Sequence, residues 1–163
     1  MAIFGGARDI DTFKIMSKEL INDIVTQQVG YYKVVLNDTP ANLYGESLSK
    51  NYIGPVLLNC LIERGDFSSG IDDFGPDRTR DVTFRFLDDT MIEANVVPEI
   101  GDIIMYNELY YQVDNVNTNQ LILGRDQNYA YSSGLENFGD SYSFILTCHY
   151  TRGEKLGITQ VVQ

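Results

Sequence analysis

Tryptophan is absent, histidine occurs once, and cysteine occurs only at Cys60 and Cys148. Two cysteines are too few for a disulfide scaffold, and neither lies in a C-x-x-C pair. They read as reduced core or strand residues in a cytosolic setting. Basic residues are scarce too: 12 Lys and Arg stand against 23 Asp and Glu, a formal net charge of −11. That balance speaks against a nucleic-acid-reading module, which carries a basic footprint, and against docking on anionic lipid. It leaves room for a protein that DNA must pass without sticking. No apolar run approaches the ~20 residues needed to span a bilayer. The start, MAIFGGARDIDTFK, has neither an apolar h-region nor a cationic lead, so no signal peptide is expected. The P-loop, G-x-G-x-x-G, G-x-S-x-G and EF-hand patterns are all missing.

What is present is β grammar behind one helix. A 163-residue chain is most simply one domain, and it can bury roughly 68–70% of its unfolded surface without a disulfide or metal. Residues 1–9 read as a flexible arm. A helix is expected over 11–29: Asp11 can cap it, Gly30 can stop it, and Phe13, Met16, Leu20 and Ile24 form one apolar stripe. The stripe points to packing on a core or a neighbouring subunit, since the polar face carries both charge signs.

Strands are expected over 31–36, 56–63, 82–86, 121–125 and 143–150, with a hairpin in 98–116 turning at Asn107-Glu108. Glu is a poor match to the Gly usual at the second turn position. In that hairpin Ile104, Tyr106, Leu109, Tyr111 and Val113 share one face. Ile103, Met105, Tyr110 and Gln112 share the other, which is too apolar for open water and marks a candidate subunit interface. The fold class is mainly β, a small barrel or sandwich with an N-terminal helix and long acidic loops at 65–81 and 126–142. After 151 the tail is polar and reads as mobile or laid on a neighbour.

Those two loops share a repeat. FSSGIDDFG (67–75) and YSSGLENFG (131–139) match at five positions, and the likeness runs without a gap into the strands VTFRF and LTCHY. Val82, Phe84 and Phe86 correspond to Leu146, Cys148 and Tyr150. Thr83 and Arg85 correspond to Thr147 and His149, so the single histidine falls on the more polar strand face. Neither the carboxylates of Asp72, Asp73 and Glu136 nor their neighbours fit calcium or glycosidase spacing. No catalytic residue, cofactor or metal is expected. Phe67, Gly70, Asp72, Asp73 and Phe74 in one loop, and Tyr131, Gly134, Glu136 and Phe138 in the other, are candidate interaction or channel-facing residues. A calcium- or carbohydrate-binding module built on these loops is the alternative, and an acid-pair hydrolase a third reading.

Several runs carry a resemblance: YYKVVLNDTPANLYGESLSKNY, VTFRFLDD and PEIGDIIMYNELYYQVDNVNTNQLILGR. Over about residues 10–126 they are similar to the neck protein of T-even-type tailed phages, especially the shorter cyanophage-like versions. The most specific parts are YGES (44–47), PEIGDII (98–104), YYQVDNV (110–116) and NQLILGR (119–125). The resemblance implies a homo-oligomeric ring, a hexamer, in the virion neck at the head–tail junction, assembled in the host cytoplasm. It implies a portal adaptor above and the tail or its terminator below, with genomic DNA passing through the channel without sequence-specific binding and with no membrane involved. It implies no catalytic residues. The chain is shorter than the T-even protein towards its C-terminus, so contacts made there are not carried over.

Overall fold

The computed structural model describes residues 7–35, 50–72, 75–118, 142–153 and 156. The order is α1 (Ala7–Glu19), a π-helical turn (Leu20–Val25), β1 (Gln28–Val34), β2 (Tyr52–Asn59), β3 (Leu61–Arg64), β4 (Ser68–Asp72), β5 (Gly75–Thr79), β6 (Asp81–Leu87), α2 (Asp88–Glu93), β7 (Ile103–Tyr106), β8 (Leu109–Asn117) and β9 (Ser143–Thr151). The fold is mainly β, as the strand periodicities require.

The helix starts within the expected arm and ends before the expected stop. Its last turn, LINDIV, is rich in β-branched and short polar residues that hold a helix weakly. Thr26 closes it with a left-handed φ of 48°, its N–H bonded to the Ile21 carbonyl at 3.0 Å. Gly30 lies inside β1 instead. The run expected over 56–63 is two strands, β2 and β3, parted at Cys60, whose N–H donates to the Gln27 carbonyl. The strand segment 121–125 lies outside the described residues.

Among the described residues one antiparallel sheet has the order β2-β1-β7-β8-β9-β6-β3, and β4 and β5 pair only with each other. No ladder joins β2 to β3, so the sheet is not closed. Yet its two edge strands are successive stretches of chain with only Cys60 between them. The sheet must therefore curl until its edges meet end to end, giving an open barrel. The inward faces form the main core around Tyr31, Phe84, Phe86, Tyr111, Ile104 and Leu146. Phe84 packs edge-on against Tyr106 and Tyr111, with ring centroids 6.3 and 5.8 Å apart, a favoured aromatic geometry.

The 98–116 hairpin forms in the expected register, with Tyr106 opposite Leu109. Asn107 and Glu108 both take positive φ, 53° and 64°, which suits the right-handed twist of a two-residue turn. The first face lines the main core. On the second face, Ile103 and Tyr110 are buried within the chain itself, under Leu156 and beside Tyr32 and Tyr52. Within the monomer these two residues, expected at a subunit contact, are already covered. The cover comes from the segment after β9, which composition marks as polar. Met105 and Gln112 are half-buried.

The strands of the repeat are neighbours. β6 and β9 pair antiparallel, with Val82 opposite Cys148 and Phe84 opposite Leu146, and both sets point into the core. Asp81, where β6 begins, sits opposite His149, near the end of β9; Leu87, at the end of β6, sits opposite Ser143, where β9 begins. The two acidic segments therefore lead in at opposite ends of the paired strands.

Candidate assembly surfaces

The expected loop 65–81 is an extended arm. β4 and β5 pair from Ser68–Thr79 to Asp72–Gly75 and continue the β3–β6 ladder outward. The base of the arm is clamped. Gly65 donates to the Asp81 carbonyl at 2.9 Å, and any Cβ at Gly65 would lie 2.6 Å from that oxygen, so only glycine fits. Arg80 Nε donates back to the Gly65 carbonyl, and its guanidinium sits 4.4 Å from the Phe67 ring centroid, a cation–π contact. Phe67 is thus an exposed ring at the root of the arm. Gly70 lies further out, with open space around its Cβ position. Asp72 ends β4. Asp73, Phe74, Tyr131, Gly134, Glu136 and Phe138 lie outside the described residues.

Helix α1 is inverted relative to an ordinary amphipathic helix. Lys14 and Lys18, four residues apart, reach α2, pairing with Asp89 at 3.4 Å and Glu93 at 2.5 Å. Ile21 is buried on the same side, and Asn59 on β2 donates to Asn22 at 2.9 Å. These contacts run the two helices side by side in the same sense. The apolar stripe is left facing outward: Phe13 is 59% exposed, Met16 60%, Leu20 46% and Ile24 73%. A folded domain gains by covering such a stripe, at roughly 25 cal/mol per Å² of apolar surface removed from water.

Two polar constellations were not legible in the sequence. Asp102 is fully buried. Its carboxylate accepts from the Tyr31 hydroxyl at 2.5 Å, the Val34 N–H at 2.9 Å, the Glu99 N–H at 2.8 Å and Lys33 Nζ at 3.2 Å. Burial, and then the adjacent carboxylate, push the Tyr31 hydroxyl pKa far above its ordinary value. Gly101, at a φ of 98°, makes the turn that aims Asp102 inward. The signal was an acid wedged between a turn glycine and two isoleucines in PEIGDII. The second constellation is His149 Nδ1, 2.7 Å from both Asp114 carboxylate oxygens. A carboxylate only accepts, so the ring carries a proton on Nδ1. Asp114 falls in a register shift between Val113 and Asn115, a bulge that strict alternation does not predict. The pair braces β8 against β9.

Both cysteines are buried free thiols. Burial pushes the Cys60 thiol up to about 12, and raises the Cys148 thiol still further. Among the described residues no group of three His, Cys, Asp or Glu side chains converges to hold a metal. No helix among them is long and apolar enough to cross a membrane.

No protein-family profile matches the chain, and no curated protein matches it. The chain is similar to one in the virion of a native gene transfer agent particle, at 9% identity and a TM-score of 0.45, over 77% of this chain and 94% of that chain.

Proposed function

We propose that this protein is a structural subunit of a tailed-phage neck, forming a ring that closes the DNA-filled head below the portal adaptor and offers a surface to the tail. The outward apolar stripe of α1 is the observation that carries the reading. The chain fills its cores from its own residues and still leaves Phe13, Met16, Leu20 and Ile24 in water, so the stripe is matched to a protein partner. The resemblance of PEIGDII and YYQVDNV to neck proteins supplies the kind of assembly. The protruding arm supplies a second contact element, reaching away from the barrel towards a neighbouring ring. The chain takes no catalytic step in this role. Its charge of −11 keeps DNA sliding past by repelling the phosphate backbone.

The test is genetic and structural. Particles assembled without this chain should accumulate as filled heads and separate tails, and imaging of intact particles should put the chain in the neck. Heads that join tails normally without it would sink the proposal.

A further inference from the structure

The geometry points to a head-to-tail contact in which the outward stripe of α1 seats on the β2 edge of a second copy of this chain. The inference rests on the ring reading above and names its interface. Two different apolar faces stand uncovered on each copy. One is the α1 stripe. The other is the β2 edge, where Ile53 and Leu57 are both exposed; the register shift puts them on opposite sides of the sheet, so a helix laid along the edge meets both. Their charges complement each other. Glu19 and Asp23 flank the stripe, exposed, and have no cation partner among the described residues. Lys14 and Lys18, the lysines of the same helix, are engaged by α2. At the β2 edge the position is reversed. Lys50, just before the strand, is exposed and has no acid partner among the described residues, whereas Lys33 is engaged by Glu99 and Asp102.

The shape of the edge also selects a helix over a strand. β2 pairs with β1 on one side only. Pro55 lacks an N–H to offer, and the ladder with β1 shifts register between Tyr31 and Lys33, beside Gly54-Pro55. An edge interrupted in this way is poor at accepting another strand and is protected by a covering helix. A face that gives and a different face that receives make a heterologous interface. Repeated by rotation, such an interface closes into a ring.

Single engineered thiols test the contact directly, because Cys60 and Cys148 are buried and leave the new thiol as the reactive one. Full-length Met16→Cys and Ile53→Cys chains are oxidised at high concentration, separately and mixed, while wild-type protein is imaged by electron microscopy. The expected result is a disulfide dimer in the mixture only. Lys50→Glu should lower the association constant about two- to fivefold, and adding Glu19→Lys should recover it. A Met16→Cys or Ile53→Cys chain that cross-links to itself shows a two-fold contact and overturns the inference. Rings without a mixed cross-link overturn the interface while leaving the ring reading intact. Neither rings nor cross-links sinks both.

Discussion

At the scale of single residues, Asp102 is the point on which the β1–β7 region depends. Four donors converge on one buried carboxylate, two of them backbone N–H groups. Asp102→Ala leaves the Tyr31 hydroxyl and the Val34 N–H buried without a partner, and should cost about 3–5 kcal/mol in urea unfolding. Tyr31→Phe removes one donor and should cost about 1–2 kcal/mol. The buried thiols set a different dependence. Cys60 ordinarily ionises near 9.0 and in the fold only near 12. Above pH 9 the unfolded chain therefore loses protons that the folded chain keeps. Stability is full below pH 9 and falls as pH rises, by about 1.4 kcal/mol per pH unit for each thiol. Tyr31 acts in the same direction above pH 10. Urea titrations at pH 8, 9 and 10 on wild type and on Cys60→Ala/Cys148→Ala should show the decline between pH 9 and 10 largely removed in the double variant.

At the scale of elements, the turn at Asn107-Glu108 places a glutamate at a φ of 64°, where a side chain is strained. Glu108→Gly relieves that strain and gives back part of it as chain entropy, so a net gain of up to about 1 kcal/mol is expected. Thermal melting should rise by about 2–4 °C. The arm is separable in another way, since β4 and β5 pair only with each other. Replacing Asp66–Arg80 by Asn-Gly should leave the melting temperature within a few degrees of wild type and abolish joining of heads to tails; normal joining would remove the arm from the mechanism. The same contrast explains what was legible in the sequence. The β6 and β7–β8 alternations could be read because their inner positions are bulky and every second residue obeys one rule. The arm was hidden because SSGID and GPDRT carry no such period. The α1 stripe was visible as a pattern, but its destination was not. A period identifies a face, and only tertiary contacts such as Lys14–Asp89 show which way it is turned. The cover on Ile103 and Tyr110 was invisible for a related reason: Leu156 follows the polar run TRGEK and belongs to no period.

At the scale of the whole molecule, charge and shape act against each other. Copies carrying −11 repel when brought together, while the proposed helix–edge contact is mainly apolar. Ring formation should therefore strengthen as salt rises from about 20 mM to about 300 mM, because screening weakens the repulsion more than it weakens apolar burial. Sedimentation across that range checks the sign. In the proposed neck ring the same charge would face the genome. Asp72→Asn/Asp73→Asn should slow DNA ejection if the arm lines the channel, and unchanged ejection would move the arm to the tail-facing side.

The strand that runs from Tyr52 to Arg64 has a mechanical meaning of its own. Broken only at Cys60, it is bonded to β1 along its first half and to β6 along its second. Tension drawn along it loads both ladders at once, in shear, as a hoop loads a cask. The arm, bonded only to itself, would peel open one bond at a time. In the proposed ring, under the pressure of a packaged genome, such a subunit would hold its girth while its arm gave way first, a stiff collar with a yielding finger.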